Sequence, residues 1–183
     1  KPAILSFKQD SNQEIALWVI NDYQRHLYGE LIIQRITFTG EILSREKSSV
    51  IIPPDNSVKI KSINSKEVNP NKEFYCAQFQ GAKDILETIH LPCDFLEWRS
   101  IPFPEARLKI KKSLSKKFDS INVTIKTDNF ADVIRLDIPG VNAKYSDNFF
   151  QLPPKSQKTI LIIFDESTED IRGRRLIVNA LNS

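Results

Sequence analysis

The chain has 183 residues, 40% hydrophobic and 27% charged, with a formal net charge of +3. That balance belongs to a globular chain, excludes disorder, and is too weakly basic to imply a nucleic-acid partner. No apolar run approaches the roughly 20 residues of a membrane helix, so no membrane insertion is expected. Glycines at 29, 40, 81, 140 and 173 are too scattered for a dinucleotide- or phosphate-binding loop. Two cysteines, and two histidines 64 residues apart, build neither a cysteine-rich zinc site nor a metalloprotease helix.

In chain order, short segments rich in Ile, Val, Phe and Tyr predict strands at 3–8, 14–21, 30–38, 48–52, 57–63, 73–80 and 85–91. After Pro92 the texture breaks, and Pro102 and Pro104 flank Phe103 in a stretch that cannot form a regular ladder. A second set follows at 107–111, 120–127, 133–137, 147–152, 158–165 and 174–181. Residues 168–173 suit one helical turn, capped by Ser167 or Thr168 and ended by Gly173. No long amphipathic helical pattern occurs. The expectation is an all-β chain of two tandem immunoglobulin-like β-sandwiches, residues 1–101 and 102–183.

An internal repeat supports the tandem. Ile51-Ile52-Pro53-Pro54-Asp55-Asn56-Ser57-Val58-Lys59-Ile60 aligns with Gln151-Leu152-Pro153-Pro154-Lys155-Ser156-Gln157-Lys158-Thr159-Ile160 at an offset of 100. Upstream, Ile15-Ala16-Leu17-Trp18-Val19-Ile20-Asn21-Asp22 aligns with Ile121-Asn122-Val123-Thr124-Ile125-Lys126-Thr127-Asp128 at an offset of 106. The copies differ on one face. Against the apolar Ile121, Val123 and Ile125 the second sets Asn122, Thr124 and Lys126, as in a sheet with one wet face. The first backs Ile15, Leu17 and Val19 with Ala16, Trp18 and Ile20, so that face is expected to be covered. Neither a methionine nor a signal peptide is present, which points to a piece of something longer.

Pro2-Ala3-Ile4-Leu5-Ser6-Phe7, Ala16-Leu17-Trp18-Val19-Ile20-Asn21-Asp22 and Gly29-Glu30-Leu31 resemble the opening of the Ig-like domain that follows the catalytic barrel in β-mannosidase-like family 2 glycoside hydrolases. Phe130-Ala131-Asp132-Val133-Ile134-Arg135-Leu136-Asp137, with Tyr145-Ser146-Asp147-Asn148-Phe149-Phe150-Gln151-Leu152-Pro153-Pro154, is similar to that family's terminal sandwich. Pro154 stands where that family usually has glycine, a departure in turn geometry. The resemblance implies a retaining parent enzyme with two barrel glutamates roughly 5 Å apart. This chain has no β/α alternation to build a barrel, so it is expected to be non-catalytic, with no catalytic residue, no metal and no cofactor. Its partners would be the barrel of the same parent chain and the parent's glycan substrate, the parent being periplasmic or secreted rather than cytoplasmic. The cover over Trp18 would be the loop at 23–28 or the catalytic part.

Trp18 and Trp98 are the aromatic side chains suited to stack on a pyranose, but Ala16 and Ile20 beside Trp18 favour packing, and Trp98 is expected to wedge between the sandwiches. Of the adjacent Phe149 and Phe150, one faces the core and the other is a contact residue. No residue is assigned to ligand binding. Cys76 and Cys93 pair only if the parent is exported; otherwise they are independent thiols. His26 and His90 read as a loop and a strand-surface residue. Arg107, Lys109, Lys111, Lys112, Lys116 and Lys117, alternating with Leu108 and Ile110, read as a charged edge hairpin. Asn122-Val123-Thr124 is a glycosylation sequon that matters only in a eukaryotic secretory context. Two rival readings are an autonomous carbohydrate-binding module and Ig-like spacer domains of a surface protein.

Overall fold

The computed structural model describes residues 2–9, 14–64, 68–82, 85–92, 95–115, 119–165 and 173–183. The chain is all-β and divides into two sandwich units: Lys1–Thr37 with Glu41–Pro102, and Phe38–Gly40 with Phe103–Ser183.

The first unit contains β1 (Ala3–Gln9), β2 (Glu14–Asn21), β3 (Leu27–Thr37), β4 (Ile42–Ile52), β5 (Asn56–Asn64), β6 (Glu73–Gly81) and β7 (Ile85–His90), then a short α1 (Phe95–Trp98). Its sheets run β1-β2-β5 and β4-β3-β6-β7, all antiparallel. Strict alternation in β2 drives this packing: Ile15, Leu17 and Val19 are fully buried against Leu27, Leu31, Ile52 and Phe79.

The second unit contains β8 (Leu108–Leu114), β9 (Ser120–Thr127), β10 (Ala131–Asp137), β11 (Ala143–Tyr145), β12 (Phe150–Leu152), β13 (Gln157–Phe164) and β14 (Ile177–Asn179), in sheets β11-β13-β9-β8 and β12-β10-β14. Val123, Ile125, Ile134, Ile160 and Ile162 are fully buried in its core. Phe38, Phe103 and Phe130 form an aromatic group in this unit, with centroids 4.9, 5.3 and 5.4 Å apart. The Phe130 N–H donates to the Phe38 carbonyl at 2.8 Å.

The repeat is realised strand for strand. In the first unit Trp18, Val19 and Ile20 lie opposite Lys59, Val58 and Ser57; in the second Thr124, Ile125 and Lys126 lie opposite Thr159, Lys158 and Gln157. The two offsets, 106 and 100, therefore describe one register. A bulge after Leu17 breaks it only in the first copy.

The two units also differ in strand content: β7 is the fourth strand of one sheet in the first, β11 the fourth strand of the other sheet in the second. β4 stays with β3 along its whole length, which exceeds the expected strand at 48–52. The strand expected at 147–152 is instead two: β11 pairs with β13 in one sheet, β12 with β10 in the other, and residues 146–149 cross between them. The strand expected at 174–181 is shorter, only β14. Of the helical turn expected at 168–173, only Gly173 lies within the described residues.

Candidate functional site

The crossing segment gathers several polar contacts, and all but the Asp147–Lys158 ion pair tie backbone. Ser146 donates its N–H to the Leu161 carbonyl at 2.8 Å, and its Oγ accepts from the Leu161 N–H at 3.0 Å. Asn148 behaves as a piece of strand: Oδ1 accepts from the Leu136 N–H at 2.8 Å and Nδ2 donates to the Leu136 carbonyl at 3.0 Å. Asp147 accepts from the Asn148 N–H and from the Lys158 ammonium. Ser146 thus grips one sheet and Asn148 the other. The serine-aspartate-asparagine-aromatic signature is a device for switching sheets, with its acceptors filled from within the chain.

Phe149 follows with a φ of 58° and is 65% exposed, while Phe150 is buried in the core with the Lys158 Nζ 4.4 Å above its ring. The adjacent pair therefore divides into one core and one exposed ring. The residue after each double proline is also left-handed, Asp55 at 47° and Lys155 at 56°. The positive φ falls on Lys155, so proline at 154 fits where the resembling family has glycine.

Trp18 is half-buried between its cross-strand neighbours Ser6 and Lys59, and its Nε1 is buried without a hydrogen-bond partner among the described residues. Tyr23, from the loop expected as a cover, packs instead against the core on the opposite side of β2. Trp98 is half-buried at the end of α1, where its carbonyl accepts from the Ile101 N–H at 3.2 Å. Cys76 is a free thiol pushed up to about 11 by burial, with Glu87 adding to the shift; Cys93 lies outside the described residues.

His26 is exposed, its ring 5.8 Å from that of Tyr28. His90, expected on a strand surface, is half-buried instead, its ring 5.5 Å from that of Phe7 and its Nε2 buried without a hydrogen-bond partner among the described residues. Burial pushes its pKa down to about 4. His90 shares its face of β7 with buried Leu86 and lies opposite buried Tyr75 on β6, whereas Ile85 is 64% exposed, so the apolar residues of β7 do not by themselves mark its inner face.

Lys109, Lys111 and Lys112 are exposed on β8, an edge strand as read from the sequence, while Lys116 and Lys117 lie outside the described residues. The Arg107 N–H hydrogen bond holds the Asp128 carboxyl below the usual range. Asn122 is exposed and Thr124 shares a hydrogen bond of 2.9 Å with Thr159 across the sheet. Among the described residues, no group of three or more His, Cys, Asp and Glu is gathered for a metal.

Three structural polar residues escaped the sequence reading. Asn21, fully buried, donates to the Arg25 and Pro53 carbonyls at 2.9 and 2.7 Å. Asn182 donates to the Pro104 and Phe130 carbonyls at 2.8 and 2.7 Å and accepts from the Asp132 N–H at 2.9 Å. Asp132, 1% exposed, accepts from Gln151 and precedes Val133, whose φ of 44° marks a bulge in β10. Asn21 carried a faint signal as a polar residue in an apolar run. The partners of Asn182 lie 50–78 residues away, so it carried none.

Residues 13–95 match the Mannosidase Ig/CBM-like domain family and residues 103–183 match an Ig-fold domain family of mannosidases. No curated protein matches the chain in sequence. Among solved structures, the β-D-mannosidase of Dictyoglomus thermophilum superposes with a TM-score of 0.83 at 22% identity, over 99% of this chain and 22% of that one. The exo-chitosanase of Amycolatopsis orientalis superposes at 0.65 and 10% identity, over 98% of this chain and 25% of that one. The chain thus spans about a quarter or less of these larger enzymes, and at such identities the likeness is one of fold. The two successive matches make the chain a tandem of mannosidase-type Ig-like domains.

Proposed function

We propose that this chain is the non-catalytic tandem of β-sandwiches of a β-mannosidase-like glycoside hydrolase, and that it supports the catalytic barrel or the substrate entrance. The observation that carries this reading is the pair of domain matches, which together leave only residues 1–12 and 96–102 uncovered. The use of the polar motif agrees with it: the Ser146 and Asn148 side chains hold the two sheets together. The parent's retaining chemistry would reside on barrel glutamates outside these residues, and the parent would work in the periplasm or outside the cell.

An assay of the 183-residue chain against aryl β-mannosides, β-galactosides and β-glucuronides is expected to show no turnover. Steady hydrolysis that co-purifies with the chain would overturn the reading. The carbohydrate-binding alternative draws on one observation, the exposed Tyr28 ring with His26 beside it and Ile51 opposite it on β4. Calorimetry with manno-oligosaccharides at millimolar concentration is expected to give no heat of binding; saturable binding lost in Tyr28→Ala would favour the module instead.

A further inference from the structure

We infer that the outward face of β8 and β9, where Lys109, Lys111 and Lys126 converge, is a docking surface for an acidic polysaccharide, a glycan chain that carries carboxylates. This role goes beyond support of a catalytic barrel and does not depend on it.

In the sheet β11-β13-β9-β8, Val123, Ile125, Ile160 and Ile162 point into the core, so their neighbours along each strand point out. The outward positions of β8, β9 and β13 carry three lysines and otherwise only hydroxyl, amide and aliphatic side chains, with no carboxylate among them. Lys109 lies directly opposite Lys126, and Lys111 follows two residues along β8, about 7 Å away at the rise of a strand. Like charges set opposite each other cost stability. Elsewhere the chain avoids that cost: Lys47, Lys59, Lys61, Lys144 and Lys158 each meet a carboxylate. Lys109, Lys111 and Lys126 are exposed and make no ion pair among the described residues.

Neither edge protection nor the fold accounts for this cluster. A guard against edge pairing calls for lysine on β8, but Lys126 stands on β9, an interior strand. At the same register the first unit sets Ile4 opposite Ile20 and Ser6 opposite Trp18, so the sandwich itself does not ask for lysine there. The excess positive charge of the chain also lies in this half: residues 103–183 hold 14 Lys and Arg against 10 Asp and Glu, residues 1–102 hold 12 against 13. The complement of such a face is an anion, and three separate ammonium groups suit carboxylates spaced along a chain. The rest of the face selects a glycan. Thr124 and Thr159 share a hydrogen bond of 2.9 Å across the sheet, with Ser113 and Asn122 paired beside them, a flat array of donors and acceptors for sugar hydroxyls. A protein interface would need an aromatic anchor and few lysines at its centre, and this face has no aromatic side chain.

The test is calorimetry of the 183-residue chain with polygalacturonate at low ionic strength. Saturable binding is expected, weakened by added salt as befits exposed charges, and about tenfold weaker in the double variant Lys109→Gln, Lys126→Gln. The double variant Lys47→Gln, Lys61→Gln removes the same charge from the first unit and is expected to bind like the wild type. Thermal melts check the fold, and the Lys109, Lys126 variant, relieved of its like-charge pair, is expected to melt no lower than the wild type. No binding of polygalacturonate, equally tight binding of a neutral mannan, or equal weakening in both variants would each overturn the inference. So would tighter binding of polyglutamate or of phosphatidylglycerol vesicles, which would assign the face to an acidic protein or to a lipid surface.

Discussion

Single polar residues decide how this chain closes on itself. Asn182 ties the segment before β8, the start of β10 and the chain end through three side-chain hydrogen bonds, and its backbone carbonyl accepts from Ala106 at 2.8 Å. Asn182→Ala leaves the N–H of buried Asp132 without its acceptor, so a loss of about 3 kcal/mol is expected in urea unfolding. Asn182→Asp keeps the acceptor but loses both donors and should fall between the two. Equal stability of all three would refute the clamp. His90 sets a pH dependence of known sign. Its folded pKa, about 4, is below the ordinary 6.5, so the unfolded chain takes up a proton that the folded chain refuses. Stability from this group is complete above pH 6.5 and falls as the pH drops toward 4, by roughly 3 kcal/mol at 1.36 kcal/mol per pH unit. Urea unfolding at pH 7 and pH 4.5 should show this slope, and His90→Phe should flatten it. An unchanged slope in the variant would assign the effect elsewhere.

At the level of elements, the two copies show which parts of a sandwich repeat and which are free to differ. β2 with β5 and β9 with β13 keep one register because their apolar sides meet a core and a slip by one residue would turn every side chain over. The double-proline turn repeats as well, down to the left-handed residue that follows it. A side chain with Cβ is strained there, so Asp55→Gly and Lys155→Gly should each stabilise by up to about 1 kcal/mol, the relief of strain being partly offset by the greater freedom of glycine when unfolded. A clear loss of stability in thermal melts of both variants would show that these side chains contribute more than the strain they cause. β4 and its counterpart diverge because Asn148 imitates backbone and lets the chain leave one sheet for the other, an option that Ser48 at the equivalent position does not take.

Across the whole molecule, the architecture was legible because period-two alternation, proline and glycine punctuation and a repeat are all local properties of a chain. Val123, Ile125, Ile15, Leu17 and Val19 announce their core faces without reference to any partner, since burial on one side of a strand needs only every second residue to be apolar. The break after Pro92 and the two offsets likewise carried the tandem. Tertiary structure alone decided the assignments that depend on distant partners. Phe38–Gly40 belong with the second unit although they lie in the chain between β3 and β4. The inner face of β7 is set by its pairing with β6, which puts His90 opposite buried Tyr75, and the strand read at 147–152 is divided because Asn148 finds Leu136, 12 residues back. The physical reason is the same in each case. Alternation specifies which side of a strand avoids water, whereas a hydrogen bond or a ring contact is specified by where the rest of the chain has gone.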